Sequence, residues 1–270
     1  MNATADAGTQ GTADDASPGS GGAGAGGAGT GGDGIGTVDA GGGTEADAGG
    51  GAGAGGASAK GPFTCTTYIG SVLTTEWWPQ GFETIVDNTK WQLKWHHHGY
   101  IEAWGDPQSP FWADTGDPNN LASGSPIQSP CTSGSTAPDR VVFLAIDWEV
   151  LTEQGWVDWL EKDLVAIKLK YPSVRWIDIM PTVRCPNNQM CNPRAKPGPG
   201  ANDGAGPEDC YIPAFEDAAI ARVVAAHADS VGLGPIVAAT MCNGGYGAHL
   251  TAADAKHAAM AIGAFYAARP

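Results

Sequence analysis

From residue 64 onward, short apolar runs alternate with stretches whose apolar residues recur every three or four positions. Five runs have strand length: TTYIG (66–70), WQLKWHHH (91–98), VVFLAID (141–147), VRWIDIMP (174–181) and PIVAATM (235–241). The third is apolar without a break, as a strand buried on both faces should be. Helical spacing covers 155–171, where Trp156, Trp159, Leu160, Leu164 and Ile167 share a face, and recurs over 213–229 and 251–267. Strand followed by helix, repeated, predicts right-handed crossovers and a mostly parallel five-stranded sheet with helices on both sides. The expected fold is a three-layer α/β/α sandwich.

Residues 1–60 break this pattern. They are almost entirely Gly, Ala, Thr, Asp and Ser, with no aromatic residue and only Met1, Ile35 and Val38 as large apolar side chains. Such a stretch cannot bury enough apolar surface to offset its ordering entropy, so it is expected to be a disordered, acidic tether before a domain at 61–270. The formal net charge of −15 and the lack of a basic stripe argue against a nucleic-acid partner. No apolar run is long enough for a transmembrane helix. A monomer is expected.

All six cysteines (Cys65, Cys131, Cys185, Cys191, Cys210, Cys242) lie in 61–270, several in loop-like sequence rich in Pro, Asn and Gly. An even count in loops favours disulfides and an oxidising compartment, with the pairing left open. Zinc is the rival reading, but there is no Cys-x2-Cys pair. Met1 is not followed by an apolar signal core, so the expected extracellular or cell-surface location requires an export signal or lipid anchor upstream.

In a parallel sheet, ligands sit beyond the C-terminal strand ends. Ser71 follows the first strand, and His249 lies in the loop after the last. A hydroxyl is a poor nucleophile until a base takes its proton, and histidine is the side chain best matched to that near neutral pH. The bland alternatives are a turn or cap serine and an exposed histidine before a helix. Gly99, just past the second strand, offers a backbone N–H for an oxyanion.

Gly-Ser after strand one, Gly after strand two, a polar residue after strand three and His-Leu-Thr before the last helix together resemble the SGNH (GDSL-type) hydrolases, over most of residues 64–270. The resemblance implies a flavodoxin-like sandwich and a serine esterase that needs no cofactor and acts through an acyl-enzyme. Ser71 would be the nucleophile, with its own N–H in the oxyanion hole. Gly99 would be a second donor and His249 the base. An acetylated carbohydrate would suit as substrate.

The chain departs from that pattern in three places. No Asp stands between Gly70 and Ser71. Asp147 occupies the place of an oxyanion-hole asparagine, and Tyr246 the place of the acid three residues before the histidine. An ionised carboxylate cannot donate a hydrogen bond, so Asn187 or Asn188 is the expected substitute. These departures keep a second reading open, a surface lipoprotein that retains the cleft and binds a glycan or small ligand without turnover.

Other residues suggest weaker alternatives. His96 and His98 would share one strand face, with no carboxylate partner to complete a metal site. Trp77, Trp78, Trp95, Trp104, Trp112 and Trp148 fit either sugar stacking or packing, with packing preferred. Glu102, Asp106, Asp147 and Glu149 contain a conceivable glycosidase pair, though solvated surface acids are the commoner case.

Overall fold

The structure, a computed structural model, describes residues 62–147, 149–150, 152–184, 190–191, 210–211, 214–240 and 250–269. Its elements are β1 (Thr66–Ser71), α1 (Thr74–Trp77), α2 (Phe82–Ile85), β2 (Trp91–His96), α3 (Ile101–Trp104), β3 (Arg140–Ala145) and α4 (Glu153–Lys170). After these come β4 (Trp176–Pro181), the two-residue strands β5 (Met190–Cys191) and β6 (Cys210–Tyr211), α5 (Ala214–Ala226), β7 (Val231–Leu233) and α6 (Ala252–Ala267). The main sheet is parallel throughout, in the order β2-β1-β3-β4-β7. β5 and β6 form a separate antiparallel pair that sets Cys191 opposite Cys210 in register.

Strand alternation divides the apolar side chains between two layers. Tyr68, Val142, Leu144 and Met180 face α1, α2 and α6, where Trp77, Phe82, Ala258 and Ile262 meet them. Ile69, Val141, Phe143 and Ile177 face the opposite layer, with Trp104, Trp156, Leu164 and Ile220 from α3, α4 and α5. Every residue of β1 and of β3 is buried, which is what the unbroken apolar run at 141–147 requires. The expected three-layer α/β/α sandwich with a parallel five-stranded sheet is the observed fold.

Two strand boundaries differ from the sequence reading. β2 stops at His96, and His97 and His98 form a turn. The fifth strand is Val231–Leu233 rather than 235–241. Pro235 has no N–H to give the ladder, so pairing with β4 ends at Leu233. Contact resumes only as an isolated parallel bridge between Arg184 and Ala238, closed by Arg184 N–H to Val237 O and Ala239 N–H to Arg184 O, each 2.7 Å.

The helix starts are chemically specified. Thr152 Oγ1 accepts the Gly155 N–H (3.1 Å) at the head of α4. At α6, Thr251 Oγ1 accepts the Asp254 N–H (3.1 Å), and Asp254 in turn receives the Thr240 N–H at 2.6 Å.

Between α3 and β3 lies an irregular segment that periodicity does not describe. Buried Lys94 holds it from beneath. Its Nζ donates to Ala113 O (3.1 Å), Asp114 Oδ1 (3.0 Å) and Ser125 O. Burial pushes the Lys94 pKa down to about 8, against the pull of Asp114. A Cys65–Cys131 disulfide fastens the same segment to the start of β1.

Candidate functional site

The strand order reverses direction at β1. The chain runs from β1 to β2 on one side, then returns to place β3 on the other. In open α/β sheets such a switch point leaves a crevice between diverging loops at the C-terminal strand ends, and ligands bind there. Ser71, the last residue of β1, stands at this point, paired in register with His96. It is 1 % exposed, and its Oγ accepts the Leu73 N–H at 3.3 Å.

Glycines permit the close approach around Ser71. A Cβ on Gly70 would lie 2.6 Å from Thr74 Oγ1 and 3.1 Å from Leu144 Cβ. A Cβ on Gly99 would lie 2.5 Å from Gly70 O, 2.8 Å from Trp104 Nε1 and 3.0 Å from His96 O. The loop after β2 therefore lies directly over the end of β1, and its far side is tied to β3 by Ile101 N–H to Ile146 O (3.1 Å). Gly99→Ala should cost about 1–3 kcal/mol of stability, because the blocking atoms are mostly backbone and cannot step aside. Chemical denaturation would measure it, and a loss below about 0.5 kcal/mol would show that the loop moves freely.

The Gly99 N–H points back into its own turn and donates to His96 O at 2.9 Å. Asp147 is 4 % exposed, and its Oδ1 accepts the Glu149 N–H (2.7 Å) and Val150 N–H (3.1 Å), shaping the turn after β3. Both expected site residues are thus at the strand ends, each with a backbone role. His249, Asn187, Asn188 and Tyr246 lie outside the described residues. Leu250, next to His249 in sequence, is described, and its N–H donates to Glu76 Oε2 at 2.7 Å. Glu76 belongs to α1, the helix that begins three residues after Ser71.

His96 and the described tryptophans of the strand-end clusters are structural. His96 is fully buried and stacked on Phe111 with ring centroids 3.4 Å apart. Its Nδ1 accepts the His98 N–H (3.2 Å), which leaves Nε2 to donate to Asn120 O (3.1 Å). Burial lowers its pKa to about 4, so the ring is neutral. Among the described residues no group of three His, Cys, Asp or Glu could hold a metal ion. Trp77, Trp78, Trp95, Trp104 and Trp112 are core residues, each 9 % exposed or less, so packing is their role; Trp148 lies outside the described residues.

Acidic groups gather at the end of β3. Burial raises the pKa of Glu102, and the charges of Asp147 and Glu149 add to it. Asp106, by contrast, is exposed and caps a turn through the Gln108 N–H (2.9 Å). One member of the cluster escaped the sequence reading. Asp163 lies on the buried face of α4 with Leu160, Leu164 and Ile167. The one hint in the sequence is that position 163 falls within the apolar recurrence of that helix, where an acid is ordinarily discounted.

The fold and the strand-end geometry define a doubly wound α/β sandwich whose candidate site lies at the β1/β3 switch point. Compared with protein-family models, curated proteins and solved structures, the chain matches none.

Proposed function

We propose that the chain is an SGNH-type esterase in which Ser71 attacks an acyl ester with His249 as its base. The observation that carries the reading is the Leu250 N–H bond to Glu76, which ties the residue beside His249 to the helix leading away from Ser71. In the first step His249 takes the Ser71 hydroxyl proton while Oγ bonds to the ester carbonyl carbon. The tetrahedral intermediate collapses as protonated His249 gives its proton to the departing alcohol oxygen. Water then attacks the acyl-enzyme with the same histidine as base, freeing the acid and restoring the serine. The Ser71 N–H is the proposed oxyanion donor, and an acetylated carbohydrate is the proposed substrate class. The Cys65–Cys131 disulfide fits an extracellular or surface location.

A second reading, binding without turnover, is favoured by two observations. The Gly99 N–H is committed to His96 O, and position 147 carries a carboxylate. Intact mass after exposure to a fluorophosphonate separates the two. The esterase reading expects one adduct, mapped to Ser71 and absent from a folded Ser71→Ala variant. An unlabelled, folded wild type would leave the binding reading in its place.

A further inference from the structure

Asp163 is an acid enclosed in the apolar layer beneath α4. It is fully buried, and among the described residues neither carboxyl oxygen has a hydrogen-bond partner. A lone carboxylate in such surroundings costs so much that the group takes up a proton instead. Burial pushes its pKa well above the usual carboxylate range, and the Asp147 charge pushes the same way. Lys162 is the opposing cation, but its Nζ is turned onto the Trp159 ring, 3.7 Å from the centroid. The Asp147 charge thus acts both on Asp163 of α4 and on Glu102 of α3, two helices packed against each other, and Glu149 adds to its effect on Glu102.

We propose that Asp163 is a positioning residue for the candidate site: a neutral carboxylic acid whose proton sets how much negative charge the β3 end presents beside Ser71. The link to Ser71 rests on the esterase reading, whereas the protonation of Asp163 does not. A buried, unpartnered acid weakens the core, and a well-packed apolar residue would serve stability better. It lies nearly three turns into the helix that follows Asp147, and the charge of that residue, which acts on Asp163, is its route to the site. When the proton leaves, a second negative charge appears behind Asp147 and opposes an oxyanion at Ser71.

The linkage has a definite sign. The folded state keeps a proton that the unfolded chain releases above the ordinary aspartate range. Stability is full below that range and falls as pH rises towards the folded-state pKa. Asp163→Asn removes this dependence, so above the ordinary aspartate range and below the folded-state pKa the wild-type unfolding constant should climb about tenfold more per pH unit than the variant's. The slope is read rather than the absolute level, and Asp163→Leu replaces the asparagine variant if that one does not fold. Infrared difference spectra taken within that pH window should show a protonated-carboxyl band in wild type that Asp163→Asn lacks. Ser71 phosphonylation should decline on the alkaline side in wild type but not in Asp163→Asn. Parallel stability curves and no infrared band would overturn the proposal. A band and slope with superimposable labelling profiles would overturn the link to the site. No labelling of either protein would remove the esterase reading and that link together, while band and slope still decide the proton.

Discussion

Asp147→Asn should speed the reaction of Ser71 with a fluorophosphonate or a short acyl ester by about two orders of magnitude at neutral pH. The loss of one oxyanion-hole donor typically costs about 10²–10³ in rate, and an ionised carboxylate at this position supplies none. Asparagine differs from aspartate by one group. Its Oδ1 can go on accepting the Glu149 and Val150 N–H groups, so the turn after β3 survives the change. Its Nδ2 brings two donors to the other side. The substitution also removes one negative charge from the cluster with Glu102, Glu149 and Asp163, which favours a developing oxyanion in the same direction. The measurement is the second-order rate constant for the two proteins at matched pH. An unchanged or lower constant, with the circular dichroism spectrum intact, would mean that position 147 does not face the reacting carbonyl.

How much of this was written in the linear pattern depends on how local the cause is. β3 was legible because both its faces are buried, so VVFLAI needs no polar alternation. α4 and α6 were legible because an amphipathic helix repeats its pattern over several turns. The fifth strand was displaced because Val231–Leu233 is only three residues long, while the more apolar stretch after it contains Pro235, and one missing donor outweighs the composition. The segment between α3 and β3 carries no period. Its order comes from Lys94 and from buried Gln92, which donates to Thr67 Oγ1 at 2.8 Å and accepts the Cys131 N–H at 3.2 Å.

At the candidate site, sequence could name Ser71 and Gly99 by their places at strand ends. It could not show that the Gly99 N–H turns back to His96 O, because that depends on the path of the loop across Gly70. Nor could it connect Glu76 with Leu250, which are brought together only when α1 packs against α6. Asp163 was hidden for the opposite reason. An acid within an apolar helical face is ordinarily discounted, and only its enclosure without a partner shows that it stands apart.

Replacing Cys65 and Cys131 by serine should cost about 4 kcal/mol and lower Tm by roughly 10 °C. The bridge joins residues 66 apart, and closing a loop of that length restricts the unfolded chain by about that amount. The enclosed stretch contains β1, α1, α2, β2, α3 and most of the irregular segment, which makes the fewest regular backbone bonds and has most to lose. Limited proteolysis of the double variant should accordingly cut first between residues 105 and 139, before any helix of the sandwich is touched. A Tm change under about 2 °C would mean that the unfolded chain between residues 65 and 131 is already restricted without the bridge, so that the link has little entropy left to remove.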